Sequence, residues 1–109
     1  MKKKTNNGQG GAAPATDVEN AKTQLVRIEF YDPTAFSVCI AGTFNDWHPD
    51  ATRMIGLGSG RWSKELILPP GTYEYRLVVN GRWIADPGAV ESTPIPFGGV
   101  NSVLHVRWK

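Results

Sequence analysis

The sequence predicts an all-β domain, a sandwich of two antiparallel sheets with about seven short strands. Apolar residues recur at every second position in most segments, and no segment shows the 3.6-residue period of a helix. The 109 residues include 12 Gly and 8 Pro, a composition typical of many turns between short elements. The length fits one domain. Short strands at this spacing, divided by turn residues, favour a β-sandwich.

Two alternating segments lie in the first half of the chain. LVRIEFY, residues 25–31, alternates apolar with charged side chains and predicts a strand with one buried face. AFSVCIAG, residues 35–42, is apolar on both sides from Phe36 onward, so both of its faces should be covered. Its Cys39 is the one cysteine of the chain, which permits no internal disulfide, and we expect it to be a small core residue.

The middle of the chain predicts two strands joined by turns. GLGSGR, residues 56–61, lacks the helix that must follow a phosphate loop, so we expect a flexible hairpin loop. RWSKELIL, residues 61–68, alternates and places Trp62 in the core. The Pro69-Pro70-Gly71 run ends that strand. TYEYRLVV, residues 72–79, then forms the next one.

The last third begins with the strongest local signal. Asn80-Gly81 between two extended runs predicts a tight hairpin, because both residues tolerate positive φ. RWIA should therefore fold back on the preceding strand. A loop rich in Pro and Gly, residues 86–99, then leads to a last strand, NSVLHVRW, in which Trp108 is expected at an amphipathic edge.

Residues 1 to 22 predict a disordered tail or linker ahead of a module at residues 23 to 109. They are mainly Lys, Asn, Gly, Ala and Thr, which bury too little surface to offset the entropy of ordering. The alternative is a short helix through VENAKTQL, capped by Asp17. The basic start has no apolar stretch behind it, and no 18-residue apolar segment follows. We therefore expect no membrane partner and, as the default, a cytoplasmic location.

The charge balance and the lack of catalytic motifs argue against two classes of function. Of 12 Lys and Arg, four lie in the first 22 residues, and of 10 Asp and Glu, two do, so eight of each sign remain in the module. That balance argues against nucleic acid, whose phosphates need a basic surface. His48 and His105 are the only histidines, and no cluster has zinc-ligand spacing. We expect no enzyme activity, metal or cofactor.

Two tryptophans stand where a core residue is not expected. Trp47 closes FNDW, where Asn45 and Asp46 favour a turn and Pro49 hinders continuation as a strand. Trp83 comes two residues after the Asn-Gly turn. Flat rings of this kind stack on the apolar faces of sugars, while neighbouring amides and cations bind the hydroxyls. The sequence thus predicts a stacking platform, although core packing of these rings is the competing interpretation.

The motifs GTFNDW, PPGTYEYRLVVNGRW, DP and FGGVNSVL, in this order and spacing, resemble carbohydrate-binding module family forty-eight over about residues 24 to 107. This family of glycogen- and starch-binding modules includes the domain in the β subunit of AMP-activated protein kinase and the N-terminal domains of branching and isoamylase-type enzymes. The resemblance implies an immunoglobulin-like early-set sandwich. It also implies binding of α-1,4-linked glucan, such as glycogen, starch or maltooligosaccharides, without hydrolysis.

The resemblance also implies the binding residues. Trp47 and Trp83 match the two stacking rings, and Arg76 stands at the position of a lysine. Asn101 matches an asparagine that contacts sugar, and Phe97 an apolar contact. Two alternatives stay open. The module is an adaptor for a kinase or a glucan-metabolising enzyme, with sugar binding secondary, or it is the N-terminal part of a branching or debranching enzyme.

Overall fold

Alternating apolar side chains build one core between two antiparallel sheets, as the sequence predicts. The computed structural model describes residues 22 to 107. All but the last residue of the predicted tail therefore lies outside the described residues, and so does Trp108. Gln24 and Leu25, the end of the possible helix VENAKTQL, are extended instead. Within the described part of the chain there is no helix with the length and hydropathy needed to cross a membrane.

The described residues contain eight strands and one short turn of 3-10 helix. These elements follow one another in chain order as β1 Gln24–Tyr31, β2 Val38–Gly42, the 3-10 turn Thr43–Asn45, β3 Ile55–Gly58, β4 Arg61–Leu68, β5 Gly71–Val79, β6 Arg82–Ile84, β7 Glu91–Pro94 and β8 Val100–Val106.

The smaller sheet has three strands in the order β1-β4-β3. Its long pair runs from Gln24 opposite Leu68 to Tyr31 opposite Arg61. Ile28, Leu66 and Leu68 are buried against the core, since every second residue of a strand faces the same side. Trp62 is partly buried and packs against this core, as predicted.

The larger sheet has five strands, and β5 is its central strand. The order is β2-β5-β8-β7, and the short β6 pairs with the second half of β5. Tyr75, Leu77 and Val79 face the core between the sheets. The intervening residues of β5 face outward, where Val78 forms a second small cluster with Cys39 and Ala41. All five residues of β2 are buried, which confirms that both of its faces are covered.

The Asn-Gly hairpin is confirmed, and it also shortens a strand. Asn80 and Gly81 have φ angles of 51° and 84°. The Asn80 side-chain oxygen accepts hydrogen bonds from the backbone amides of Phe36, at 2.9 Å, and Ser37, at 3.1 Å. Because these two amides donate to a side chain and not to a neighbouring strand, β2 begins only at Val38. The expectation that Phe36 belongs to a covered strand face was wrong, since its side chain is 79% exposed.

Two further strands lie in segments expected to be loops. Ile55–Gly58 forms β3 across a bulge, so the hairpin loop predicted for residues 56–61 reduces to a turn at Ser59 and Gly60. Glu91–Pro94 forms β7 beside β8 within the loop predicted for residues 86–99. Both strands are mostly exposed and lie at the edges of their sheets. Neither face of these strands is buried, so apolar residues such as Ile55 and Leu57 do not mark a core face.

A buried polar network ties the loop after β6 to the larger sheet. The Tyr75 hydroxyl donates to Asp86 Oδ2 at 2.6 Å, and the Asp86 backbone amide donates to Ser102 Oγ at 2.8 Å. The other carboxylate oxygen of Asp86 accepts from the Gly88 amide at 2.9 Å. Burial, and then the bond to Asp86, raises the pKa of the Tyr75 hydroxyl far above its ordinary value. Tyr75 therefore stays a neutral donor at physiological pH.

Replacing Tyr75 by phenylalanine should lower the free energy of unfolding by about 1–3 kcal/mol, because it removes the donor from a buried carboxylate. The same change at Tyr73 is the matched control, since its hydroxyl donates to the Pro69 carbonyl at an exposed site. We expect the control to cost less than about 1 kcal/mol. Urea unfolding of both variants measures the difference, and equal losses would contradict the role given to the network.

Candidate functional site

The loop after β2 holds Trp47 through the side chain of Asn45. Asn45 Nδ2 donates to the Ile40 carbonyl at 2.9 Å and to Thr52 Oγ1 at 3.0 Å, while Asn45 Oδ1 accepts from the Gly42 amide at 3.0 Å. The Asn45 side chain bonds the Gly42 amide and the Ile40 carbonyl, backbone groups that a neighbouring strand would otherwise bond. Asn45 therefore fixes where the loop turns.

The same loop puts two residues in the left-handed region. Asp46 and Trp47 have φ angles of 55° and 60°, and the Trp47 amide donates back to the Gly42 carbonyl at 2.9 Å. Aspartate tolerates this conformation, whereas a bulky residue adopts it only where the surroundings enforce it. The turn predicted from FNDW is thus confirmed. The unfavourable backbone conformation of Trp47 indicates that the loop determines the orientation of its ring.

Gly42 is required here by a close approach between strands. A Cβ at Gly42 would lie 2.6 Å from the Glu74 carbonyl oxygen and 2.7 Å from Tyr75 Cβ. Any larger residue would separate β2 from β5 at the point where the Trp47 loop leaves the sheet. The glycine of GTFNDW therefore serves packing, not backbone freedom, since its φ of −165° is ordinary extended backbone.

Trp47 and Trp83 lie on the outer face of the larger sheet, at opposite sides of Val78. Trp47 is partly buried and packs on Cys39, Ala41 and Val78. Trp83 is directly opposite Val78 in the pairing of β5 with β6, and its side chain is 39% exposed. Directly opposite residues of an antiparallel pair project from the same face. The two rings therefore share one surface, backed by three small or medium side chains.

Arg76 projects from the same face, two residues before Val78. Its Nη2 lies 3.5 Å from the Trp83 carbonyl oxygen, a long contact that holds the guanidinium weakly. Its Nε is buried and has no hydrogen-bond partner within the described part of the chain. An unpaired buried donor is unfavourable. Because Nε is buried, any donation from Arg76 to a ligand would come from its Nη groups beside Trp83.

Asn101 lies across the sheet from this arginine and is more buried than expected for a contact residue. The residue as a whole is 7% exposed. Asn101 Nδ2 donates to Glu74 Oε1 at 3.0 Å. One amide proton is thereby engaged within the protein. The sequence contained one indication that Glu74 lies near the site. Glu74 stands two residues before Arg76 in one strand, so both side chains face the same side of the sheet.

Phe97 occupies the tip of the turn between β7 and β8. The turn is closed by bonds from the Ile95 amide to the Gly99 carbonyl and from the Gly98 amide to the Ile95 carbonyl, each at 3.1 Å. Gly98 and Gly99 have φ angles of 103° and 85°. The Phe97 side chain is fully exposed. A Cβ at Gly99 would lie 3.9 Å from Arg76 Nη2, so this turn adjoins the arginine.

The five predicted residues therefore belong to one side of the molecule. Four stand on or against the outer face of the larger sheet, and the fifth on the turn beside it. None of the four main clefts formed by residues 22–107 is lined by these five residues. A groove of about 600 Å³ between β1 and β8 is lined by Glu29, Asp86 and His105, among others, and by none of the five.

Histidine, cysteine and carboxylate side chains do not form a metal site among residues 22–107, since no group of three or more is suitably placed. His48 and His105 are exposed. His105 Nε2 pairs with Glu91 Oε1 at 2.8 Å, and His48 Nδ1 lies 2.9 Å from the Asn45 carbonyl oxygen. Cys39 is buried and unpaired, as expected of a core residue.

Comparisons with known proteins identify the family of the chain. Residues 26–109 match the family model described as the glycogen recognition site of AMP-activated protein kinase. The β-2 subunits of 5'-AMP-activated protein kinase from human, mouse and rat are 32% identical to the chain over 71 residues. That alignment covers 64% of this chain but 25% of each subunit. The chain thus spans about a quarter of the length of these relatives.

A maltogenic amylase from S. marinus shares the fold. Its structure superposes with a TM-score of 0.65 at 18% identity, covering 78% of this chain and 14% of the amylase. At this identity the likeness concerns the fold alone. The family match, in contrast, extends over most of the chain and includes every residue of the outer face described above. The protein therefore belongs to the family of the glycogen recognition site of AMP-activated protein kinase, a family of carbohydrate-binding modules.

Proposed function

We propose that the module binds α-1,4-linked glucan without hydrolysing it, by stacking sugar rings on Trp47 and Trp83. The observation that carries this proposal is the position of the two indoles on one surface, at opposite sides of Val78. Membership in a glycogen-recognition family supports glucan as the ligand class. The module then acts by attachment, and any chemistry on the glucan belongs to another domain or protein.

The packing behind the rings favours this use. Trp47 rests on Cys39, Ala41 and Val78, so one of its faces is supported by the sheet. A supported ring loses little conformational entropy when a sugar stacks on it. Trp83 retains a substantial exposed fraction on a three-residue strand. A curved α-glucan is expected to touch both rings, whereas a flat β-1,4 chain matches them less well.

Polar groups beside the rings would bind the sugar hydroxyls. Arg76 offers its Nη donors, of which Nη2 makes one long contact with the Trp83 carbonyl oxygen. Asn101 offers an amide edge, and Phe97 extends the apolar surface beyond the arginine. With each net hydrogen bond contributing about 1 kcal/mol, this set predicts a dissociation constant of roughly micromolar to millimolar. Modest affinity is sufficient for a polymer that presents many repeats.

Substitution of Trp83 by alanine tests the platform. We expect the dissociation constant for maltoheptaose and β-cyclodextrin to rise by at least about tenfold, because one stacked ring is lost. Trp83 is preferable to Trp47 as the first target, since removing Trp47 also uncovers Cys39 and Ala41. Isothermal titration calorimetry measures the change.

Tyr31→Ala is the matched control, because Tyr31 is an exposed aromatic residue of the other sheet. It should leave the affinity unchanged, and cellohexaose should bind neither protein measurably. Absence of α-glucan binding by the wild-type chain at millimolar concentration would refute the proposed function. Equal weakening by Tyr31→Ala and Trp83→Ala would refute the assigned surface.

The loop that holds Trp47 provides a second prediction. Asn45→Ala removes three hydrogen bonds that shape the loop, so we expect binding to weaken by about tenfold although Asn45 itself is not a proposed contact. Thr52→Val removes only one of these bonds and should weaken binding less. Calorimetry below the unfolding temperature of each variant checks this order. Full affinity in a folded Asn45→Ala protein would contradict the dependence of the ring on its loop.

An adaptor function is the second candidate, because the matched relatives are subunits of a protein kinase. In that case the module binds a kinase or a glucan-metabolising enzyme, and glucan binding is secondary. Co-purification of such a partner without glucan, equally strong for wild type and Trp83→Ala, would support it. Loss of the partner together with glucan binding would instead favour indirect association through the polysaccharide.

A further inference from the structure

Glu74 is an acidic residue that lies beside the arginine and the amide of the candidate site. It stands on the outer face of β5, two residues before Arg76, and directly opposite Val103 of β8. Its carboxylate oxygen Oε1 accepts the hydrogen bond from Asn101 Nδ2 at 3.0 Å. Its backbone amide donates to Thr43 Oγ1 at 3.3 Å. Glu74 thus links the amide of the site to the loop that carries Trp47.

The chemistry of this pair is asymmetric. The Asn101 side chain has a donor edge and an acceptor edge, which can be exchanged by turning the amide over. An ionised carboxylate only accepts hydrogen bonds. It therefore favours the amide orientation in which Nδ2 faces Glu74, and it opposes the reverse orientation by repulsion between two oxygens. A hydrogen bond to a charged acceptor is also stronger than one between neutral groups.

Because Asn101 is buried, the orientation of its side-chain amide decides which amide atom a ligand can contact. Since Asn101 as a whole residue is 7% exposed, a ligand can reach only a small part of it. Glu74 engages the nitrogen, so Oδ1 is turned away from the carboxylate. A sugar hydroxyl that meets this edge would donate its proton to an oxygen already held in place.

We propose that Glu74 is a positioning residue of the glucan site, which holds the Asn101 amide so that Oδ1 accepts a hydrogen bond from a sugar hydroxyl. This inference rests on the proposed glucan-binding function. Glu74 itself need not touch the sugar. Its contribution reaches the ligand through Asn101.

Four variants test the inference by calorimetry with maltoheptaose. Glu74→Ala should raise the dissociation constant by about five- to tenfold, because the amide loses the partner that orients it. Glu74→Gln keeps the shape but can accept or donate, so both amide orientations become available, and we expect about a two- to threefold loss. Asn101→Ala should weaken binding at least as much as Glu74→Ala. The double variant should be no weaker than Asn101→Ala alone.

The double-variant comparison separates positioning from direct contact. If Glu74 binds sugar independently, the two losses multiply, and the inference is wrong. Glu65→Ala is the control, since Glu65 is an exposed carboxylate of the other sheet, paired with Arg27 at 2.7 Å. It should leave the affinity unchanged. Wild-type affinity in Glu74→Ala, at an unchanged unfolding temperature, would also overturn the inference.

Nuclear magnetic resonance gives a readout that does not depend on binding. The two side-chain amide protons of Asn101 should change their chemical shifts in Glu74→Gln, and no change would oppose the inference. This variant also serves if Glu74→Ala fails to fold. Loss of binding in Trp83→Ala with normal binding in Glu74→Ala would reject the positioning role alone. Absence of glucan binding in the wild-type protein would reject the proposed function itself.

Discussion

The antiparallel pairing of β2 with β5 is the constraint on which the rest of the structure depends. It runs from Val38 opposite Val79 to Gly42 opposite Tyr75, and its last step is possible only because Gly42 has no side chain. The pairing closes the core on one face, where Ile40 and Leu77 are fully buried. On the other face it builds the support for Trp47. One backbone contact therefore serves both stability and the candidate site.

The outer faces of the two sheets carry different kinds of side chain. The outer face of the larger sheet carries the two indoles, Arg76 and the Asn101 amide. The outer face of the smaller sheet carries the exposed ion pair between Arg27 and Glu65, which adds little stability because solvent screens it. The proposed glucan surface and this ion pair therefore lie on opposite faces of the sandwich.

The sequence was sufficient to predict the sandwich because strands with one buried face alternate apolar and polar residues, whereas β2, covered on both faces, is a continuous apolar run. It was insufficient for β3 and β7, whose residues are mostly exposed and whose pairing depends on backbone hydrogen bonds. The exposure of Trp83 followed from the hairpin turn, whereas Trp47 is partly buried against Cys39, Ala41 and Val78. The contact between Glu74 and Asn101 did not, since it joins residues 27 positions apart across two strands. Such a contact requires the register, which the pattern of each strand alone does not contain.

In the proposed function, one face, defined by Trp47 and Trp83, binds the glucan. Titration of ¹⁵N-labelled protein with maltoheptaose, followed by two-dimensional nuclear magnetic resonance, tests it most directly. We expect the largest shifts at the indole protons of these two residues and at the backbone amides of residues 98–102. The indole of Trp62 and the amides of Arg27 and Glu65 should stay unchanged. Shifts centred on those last groups, or on the groove beside His105, would contradict the account.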